Sequence, residues 1–129
     1  MESLYTLSLQ RDFTARHYLI GGDWGAENLL HAHAYRLEVR LYGDELDAHG
    51  FLVDLVQLEG SVEKVLGRVR DRTLNELPEF SGLNPSLEHF ARIVCQALDR
   101  NLQGPGLRSL EVRIWEDANA SASYRLDRK

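Results

Sequence analysis

The first third of the chain alternates apolar and polar side chains in two runs. Every second position of the first run lies on one face that ends at His17: Tyr5, Leu7, Leu9, Phe13 and Ala15. The second run starts with His31 and His33 and continues on the same face with Tyr35, Leu37, Val39 and Leu41. A period of two predicts β-strands. We therefore predict two strands that carry histidines on their apolar faces, joined by a glycine-rich loop that ends near Glu27.

Beyond a turn at Gly43 the apolar residues change to helical spacing. One helix is predicted by Leu55, Leu58, Val62, Val65 and Val69, and a second by Leu87, Phe90, Val94, Ala97 and Leu98. Asn84 and Pro85 are predicted to be the N-cap and the first residue of that second helix. After Gly104-Pro105-Gly106, alternation predicts a third strand that ends at Glu116 and a fourth over residues 122–126. The predicted fold is α+β, in the order ββααββ.

Composition narrows the class of protein. With 129 residues, 43% hydrophobic and 27% charged, the chain is expected to fold as a single domain over residues 1–129. A net charge of -5 with scattered basic residues argues against a nucleic-acid partner. No run is apolar enough for a membrane span, and the N-terminal residues do not resemble a signal peptide. The lone Cys95 excludes an internal disulfide, so we expect a cytoplasmic protein.

The histidines carry the main chemical signal. His31 and His33 lie two apart on one strand face, and His17 ends the strand expected to pair alongside. Three neutral imidazoles suit Zn²⁺ and leave its fourth position open for water or substrate. The alternative is a set of strand histidines without metal, because a short H-x-H motif occurs often by chance.

Several motifs occur in the order of a known family. They are Phe13-Thr14-Ala15-Arg16-His17, His31-Ala32-His33, Gly50-Phe51-Leu52-Val53-Asp54, Leu74-Asn75, Asn84-Pro85-Ser86-Leu87-Glu88, and Val112, Ile114 and Glu116 followed by Tyr124. Together they resemble the 6-pyruvoyltetrahydropterin synthase and 6-carboxytetrahydropterin synthase family over nearly the whole chain. The resemblance implies the tunnelling fold, or T-fold, in which ββααββ subunits form a shared barrel. It also implies a homo-oligomer, with trimers stacked into hexamers and active sites between subunits.

By the same resemblance, His17, His31 and His33 hold zinc, and Glu116 binds the pterin substrate. A carboxylate can accept two hydrogen bonds at once, from the ring N–H and the exocyclic amino group of a pterin. The alternative for Glu116 is a solvated acid at a strand end. The resemblance leaves open whether the pathway leads to the nucleoside queuosine, to folate or to another pteridine-derived compound.

The chain departs from the family at its catalytic residues. Glu27 stands where the family carries a catalytic cysteine, four residues before His31. In place of the catalytic Asp-His pair, the chain has Arg70 and Asp71, or Asp71 and Arg72 if the register shifts by one. These residues are candidates for catalysis, and equally for a solvated helix end. His49 and His89 are further candidate acids or bases, although a position at the surface or at a helix end is the simpler interpretation of each.

Glu27 suggests a particular chemistry. A hydroxyl bound to zinc can approach a pKa of about 7, so a carboxylate could deprotonate it and start cleavage of the adjacent C–C bond. A subgroup of the family that this sequence resembles replaces the cysteine with glutamate and forms a hydroxymethylpterin. The sequence therefore predicts a zinc-dependent lyase that acts on a dihydropterin such as dihydroneopterin triphosphate. The alternative is a zinc- and pterin-binding homologue with lost or redirected catalysis.

Overall fold

Four strands and two α-helices form the framework of residues 3–128, the part of the chain that the computed structural model describes. In chain order they are β1 (Tyr5–His17), β2 (His31–Gly43), α1 (Leu55–Val69), α2 (Leu87–Asn101), β3 (Leu107–Trp115) and β4 (Ser121–Asp127). The predicted order ββααββ and the α+β class are confirmed. Neither described helix has the length and apolar character that a membrane span needs.

The four strands form one antiparallel sheet in the order β1-β2-β3-β4. The register of β1 and β2 runs from Tyr5 opposite Gly43 to His17 opposite His31, with Ala15 opposite His33. Residues that alternate along paired strands share one face of the sheet. This register therefore brings the three histidines to one end of the sheet and to the same face.

Both helices cover the apolar face of the sheet. α2 packs on β3 and β4, while α1 contacts β1 and α2. The core between these layers includes Leu37, Val39, Leu41, Leu58, Leu66, Phe90, Val94, Leu98, Leu110 and Ile114, all at most 1% exposed. Truncating one such leucine to alanine typically costs about 2–5 kcal/mol in the free energy of unfolding. The histidines lie at the margin of this rigid core, which limits how far their strands can move.

The start of α2 differs from the prediction. Ser86, and not Asn84, is the N-cap: its hydroxyl accepts a hydrogen bond from the His89 N–H at 3.2 Å. The Asn84 side chain is engaged elsewhere, since its amide oxygen accepts from the Ile20 N–H at 3.1 Å. Pro85 therefore precedes the helix, and its carbonyl oxygen remains free of helical bonding. The long-range contact of Asn84 overrides the local preference for an Asn-Pro helix start.

Candidate metal centre

Three imidazole rings form a nearly equilateral cluster where β1 ends and β2 begins. The ring centroids are 4.6 Å apart for His17 and His31, 4.8 Å for His31 and His33, and 5.0 Å for His17 and His33. His17 is buried and the other two are partly buried. The strand register thus brings together the three residues that the sequence proposed as metal ligands.

Backbone carbonyls determine which ring nitrogens carry protons. The Nδ1 atom of His17 lies 3.1 Å from the carbonyl oxygen of Pro85, and that of His31 lies 2.7 Å from the carbonyl oxygen of Leu29. A carbonyl oxygen can only accept, so each Nδ1 must donate. The Tyr35 hydroxyl, 3.4 Å from Nδ1 of His17, can accept from the same N–H. In the neutral rings, Nε2 of both histidines is therefore an unprotonated acceptor.

These acceptor atoms face each other. Nε2 of His17 and Nε2 of His31 are 3.0 Å apart. Nε2 of His33 is buried and has no hydrogen-bond partner among the described residues. Leaving a buried polar atom unsatisfied costs about 1–3 kcal/mol. A cation between the three nitrogens would satisfy all of them, and imidazole nitrogen suits Zn²⁺ and related transition metals.

Burial keeps His17 in the form that binds metal. Removal from water, together with the neighbouring His31 and His33, lowers the pKa of His17 to about 4, although the hydrogen bond to Pro85 acts in the opposite direction. The ring is therefore neutral near pH 7. A neutral imidazole with Nδ1 bonded to a carbonyl has its Nε2 lone pair aimed and available for a metal.

Glu27 joins the histidine cluster from the loop between β1 and β2. It lies in a single 3₁₀ turn, Gly25–Asn28. One carboxylate oxygen, Oε2, is 2.6 Å from Nε2 of His31. The potential ligand atoms of His17, Glu27, His31 and His33 all lie within 4.8 Å of one another. This group of three histidines and one carboxylate can hold a metal ion.

The loop that presents Glu27 is organised by the amide of Asn28. The amide nitrogen donates to the carbonyl oxygens of Leu19 and Gly22, both at 3.0 Å, and the amide oxygen accepts from the Trp24 N–H at 2.6 Å. The Leu19 N–H donates in turn to the carbonyl oxygen of Glu27 at 2.9 Å. These bonds connect the end of β1 to the turn that carries the carboxylate.

Glu116 lies beside His33, whereas Glu27 lies beside His31. It follows the last residue of β3, and its N–H donates to the carbonyl oxygen of Ala120 at 3.1 Å across the β3–β4 turn. Its carboxylate is half-buried, with Oε2 3.7 Å from Nε2 of His33. A molecule bound at the metal centre would therefore lie within reach of this carboxylate.

Arg70 and Asp71 lie apart from this cluster within one chain. Arg70 follows α1 and forms an ion pair with Glu63 at 3.2 Å. Asp71 has a left-handed φ of 59°, and its N–H donates to the carbonyl oxygen of Thr14 at 2.7 Å along the outer edge of β1. No hydrogen bond or ion pair within residues 3–128 connects either side chain to the three histidines. Within the described residues, these two catalytic candidates bond to Glu63, Thr14 and Arg16 and not to Glu27.

The two remaining histidines are also outside the cluster. His49 lies in a turn and stacks on Phe51 with ring centroids 6.0 Å apart. His89 lies in the first turn of α2, and its Nδ1 donates to the carbonyl oxygen of Asn84 at 2.8 Å. Both positions agree with the simpler interpretation of these residues.

The sequence did not reveal the groups that orient the site. The carbonyls of Pro85 and Leu29 orient two metal-ligand candidates, and Asn75 forms two hydrogen bonds with the backbone of Tyr18. Backbone carbonyls have no sequence signal of their own. The Asn-Pro and Leu-Asn motifs marked the right segments but not the contacts.

Comparison with known proteins places this site in a family. Residues 6–127 match the family model described as 6-pyruvoyl tetrahydropterin synthase. The chain is 33% identical over 79 residues to 6-carboxy-5,6,7,8-tetrahydropterin synthase of Bacillus subtilis, a match that covers 60% of this chain and spans about half, 52%, of that protein.

Solved structures share the fold. The 6-pyruvoyl tetrahydropterin synthase of Caenorhabditis elegans superposes with a TM-score of 0.81 at 24% identity, covering 98% of this chain and all of that one, 100%. A Plasmodium vivax 6-pyruvoyltetrahydropterin synthase in which a catalytic glutamate is replaced by alanine superposes with a TM-score of 0.76 at 16% identity, covering 95% and 99% of the two chains.

Proposed function

The chain belongs to the 6-pyruvoyl tetrahydropterin synthase family, and from that premise we propose that it is a zinc-dependent lyase acting on a dihydropterin such as dihydroneopterin triphosphate. One observation carries the proposal. The Nε2 atoms of His17 and His31 face each other at 3.0 Å, the buried Nε2 of His33 has no hydrogen-bond partner among the described residues, and the carboxylates of Glu27 and Glu116 lie next to His31 and His33. This arrangement combines a cation site with groups that can move a proton and hold a polar ring.

Each side chain has a distinct role in this proposal. His17, His31 and His33 hold the zinc, which when bound polarises side-chain oxygens of the substrate. Glu27 would accept the proton of the polarised hydroxyl, which would become a carbonyl as the adjacent C–C bond breaks. The electron pair of that bond would pass into the dihydropterin, which would take the proton back from Glu27. Glu116 accepts hydrogen bonds from the ring N–H and the amino group of the pterin. A glutamate is described as a catalytic residue of the Plasmodium vivax enzyme with the same fold, so a catalytic glutamate has a precedent in this fold.

We further propose that the working site needs a second copy of the chain. β1 and β4 are the two outer strands of the sheet, and within residues 3–128 β4 pairs only with β3. An unpaired strand edge is a template for another chain. A homo-oligomer that closes a barrel in this way could bring Arg70 and Asp71 of one copy near Glu27 of another. Their proposed catalytic role depends on this assembly, whether a trimer or a hexamer.

A second candidate function is a zinc- and pterin-binding homologue without this catalysis. The observation that favours it is that Arg70 and Asp71 form their contacts away from the metal cluster, because within residues 3–128 Glu27 is then the only one of the three proposed catalytic residues in that cluster. Both functions imply a small-molecule pterin ligand and no nucleic acid or membrane partner. A cytoplasmic location is proposed for either, since the single cysteine is not suited to disulfide formation within the chain.

The test is turnover by the zinc-loaded protein. Dihydroneopterin triphosphate is incubated with wild-type protein, and products are separated by chromatography and identified by mass. We expect a hydroxymethylpterin with wild type and no product with His31→Ala or Glu27→Gln. A carboxy- or pyruvoylpterin would retain the enzyme but reject C–C cleavage to a hydroxymethylpterin as its chemistry. No product from a zinc-loaded protein that still binds the pterin would reject the enzyme in favour of the binding homologue.

A further inference from the structure

The Glu27 carboxylate lies in the candidate metal centre, with Oε2 2.6 Å from Nε2 of His31. We propose that in the resting protein Glu27 is the fourth ligand of the metal, and that a hydroxyl of the substrate displaces it. This inference rests on the proposed function, because it assumes that His17, His31 and His33 hold a metal. It adds that the site is closed until substrate arrives.

The first argument comes from hydrogen-bond capacity. Nδ1 of His31 donates to Leu29, so in the neutral ring Nε2 is an acceptor. A carboxylate is also only an acceptor, yet Oε2 of Glu27 lies 2.6 Å from that nitrogen. Two acceptors approach this closely only when something positive lies between or beside them.

A second proton on His31 would explain fewer of the close contacts in this cluster than a bound metal ion would. If His31 carried a second proton, Nε2 could donate to Glu27 and, less directly, to Nε2 of His17 at 3.0 Å. Nε2 of His33 would remain buried and without a partner. One metal ion satisfies the three nitrogens and the carboxylate oxygen together. The observed geometry therefore favours a four-ligand site over an imidazolium–carboxylate pair.

The spacing of the ligand atoms agrees with this assignment. Zn–N bonds of about 2.0–2.1 Å and Zn–O bonds of about 2.0–2.2 Å place tetrahedral ligand atoms about 3.3–3.5 Å apart. The four candidate atoms here lie within 4.8 Å of one another, and the two closest pairs are 2.6 and 3.0 Å apart. The closest pair would have to separate by roughly 0.7–0.9 Å, and a pair at the 4.8 Å limit would have to approach by roughly 1.3–1.5 Å, to reach the tetrahedral spacing.

The loop allows Glu27 to leave the metal without disturbing the core. The 3₁₀ turn that carries it contains no buried residue, and the Glu27 side chain is 52% exposed. Gly21 and Gly25 have φ values of 85° and 62°, a region that glycine adopts without strain. Rotation of the glutamate side chain therefore exposes no apolar surface.

Displacement also explains how one carboxylate can serve two purposes. Glu27 would give up its place as a ligand when a substrate hydroxyl reaches the fourth position. The released carboxylate remains beside that hydroxyl and can accept its proton, becoming a neutral carboxylic acid. No other reactant is needed, and the charge of the site is unchanged by the proton transfer.

Zinc affinity tests the fourth ligand independently of turnover. Zinc dissociation constants are measured by competition with a chromophoric chelator for wild type, Glu27→Ala and the control Asp23→Ala. Asp23 is an acid of the same loop, where it accepts the Gly25 N–H at 3.0 Å, so the control reports the effect of losing a loop contact and a charge. We expect Glu27→Ala to weaken zinc binding at least tenfold and Asp23→Ala to weaken it less than threefold. Equal affinity of Glu27→Ala and wild type would overturn the proposal.

Cobalt reports the coordination directly. In the Co²⁺-loaded protein we expect the visible bands to differ between wild type and Glu27→Ala, and dihydroneopterin to shift the wild-type bands. Identical bands in both proteins would overturn the proposal. The two proposals can fail separately. If the protein turns over substrate but Glu27→Ala binds zinc as wild type does, only the role of Glu27 as fourth ligand is rejected. If Glu27→Ala binds zinc more weakly but wild type shows no turnover, only the enzymatic function is rejected.

Discussion

The side chain of Asn75 forms two hydrogen bonds with the backbone of Tyr18. The amide oxygen of Asn75 accepts from the N–H of Tyr18 at 3.0 Å, and its amide nitrogen donates to the carbonyl oxygen of Tyr18 at 2.9 Å. Tyr18 directly follows the metal-ligand candidate His17. The asparagine after α1 thereby fixes the backbone at the end of β1, where the position of the His17 ring is set.

This relationship predicts that Asn75→Asp destabilises the protein and loosens the metal site. Aspartate keeps the acceptor but places a charged oxygen against the Tyr18 carbonyl, so we expect a loss of about 1–3 kcal/mol in the free energy of unfolding. We also expect weaker zinc binding. Denaturant titrations with and without zinc measure both effects. Asn119→Asp, in the exposed β3–β4 turn, serves as the control. Equal stability of the two variants would show that the two Asn75–Tyr18 hydrogen bonds contribute little to the free energy of unfolding.

Glu116→Gln is expected to weaken pterin binding without loss of zinc. The amide cannot accept both hydrogen bonds of the pterin, and losing a charge-assisted bond of about 1.5–3 kcal/mol corresponds to a roughly tenfold to hundredfold weaker affinity. Fluorescence titration with dihydroneopterin and metal analysis measure the two properties. Glu88→Gln, at an exposed position in the first turn of α2, should bind as wild type does. If Glu116→Gln lost its zinc instead, Glu116 would be a metal-site residue.

Cys95 should resist thiol reagents in the folded protein. It is fully buried in α2, and burial raises its pKa to about 12. At pH 8 almost no thiolate forms, and the sulfur is inaccessible. We expect negligible labelling in buffer and rapid labelling in denaturant, followed by absorbance of the released chromophore. Because the chain has one cysteine, the signal has one source. Rapid labelling in buffer would mean that α2 opens readily.

The same shift predicts a loss of stability at alkaline pH. An ordinary thiol ionises near pH 8.5 in the unfolded chain, well below the raised pKa in the folded state. The contribution of Cys95 to stability is therefore complete below about pH 8.5 and declines as the pH rises toward 12. Cys95→Ala should remove this part of the decline. The measurement is the free energy of unfolding of both proteins at about pH 8 and at about pH 10. An unchanged slope in Cys95→Ala would assign the decline to other groups.

The corrected start of α2 makes its own prediction. Ser86→Ala removes the oxygen that accepts the His89 N–H, so we expect a loss of about 0.5–2 kcal/mol in the free energy of unfolding. Ser86→Asp should retain most of the stability because aspartate also caps helices. Thermal and denaturant unfolding measure both variants. If Ser86→Ala were neutral, the capping bond would be too weak to define the helix start.

Local periodicity was sufficient to predict the secondary structure. Alternation with a period of two predicted the four strands, and helical spacing predicted α1 and α2 to within a few residues. These patterns are readable because each strand and helix buries one face in a common core. The capping error at Asn84 arose where a contact with Ile20, far away in the sequence, engages the side chain that local preference would have used.

The candidate ligands also followed from the sequence, because the H-x-H motif and the end of β1 need only strand geometry and an antiparallel register to converge. Their proton positions did not. The Nδ1 atoms of His17 and His31 are assigned by backbone carbonyls, one of them 68 residues away at Pro85. The closeness of Glu27 to His31, and the separation of Arg70 and Asp71 from both, depend on how the loop after β1 and the end of α1 fold back on the sheet. Side-chain spacing along the chain determined which residues could meet, whereas long-range backbone hydrogen bonds decided which atoms face one another.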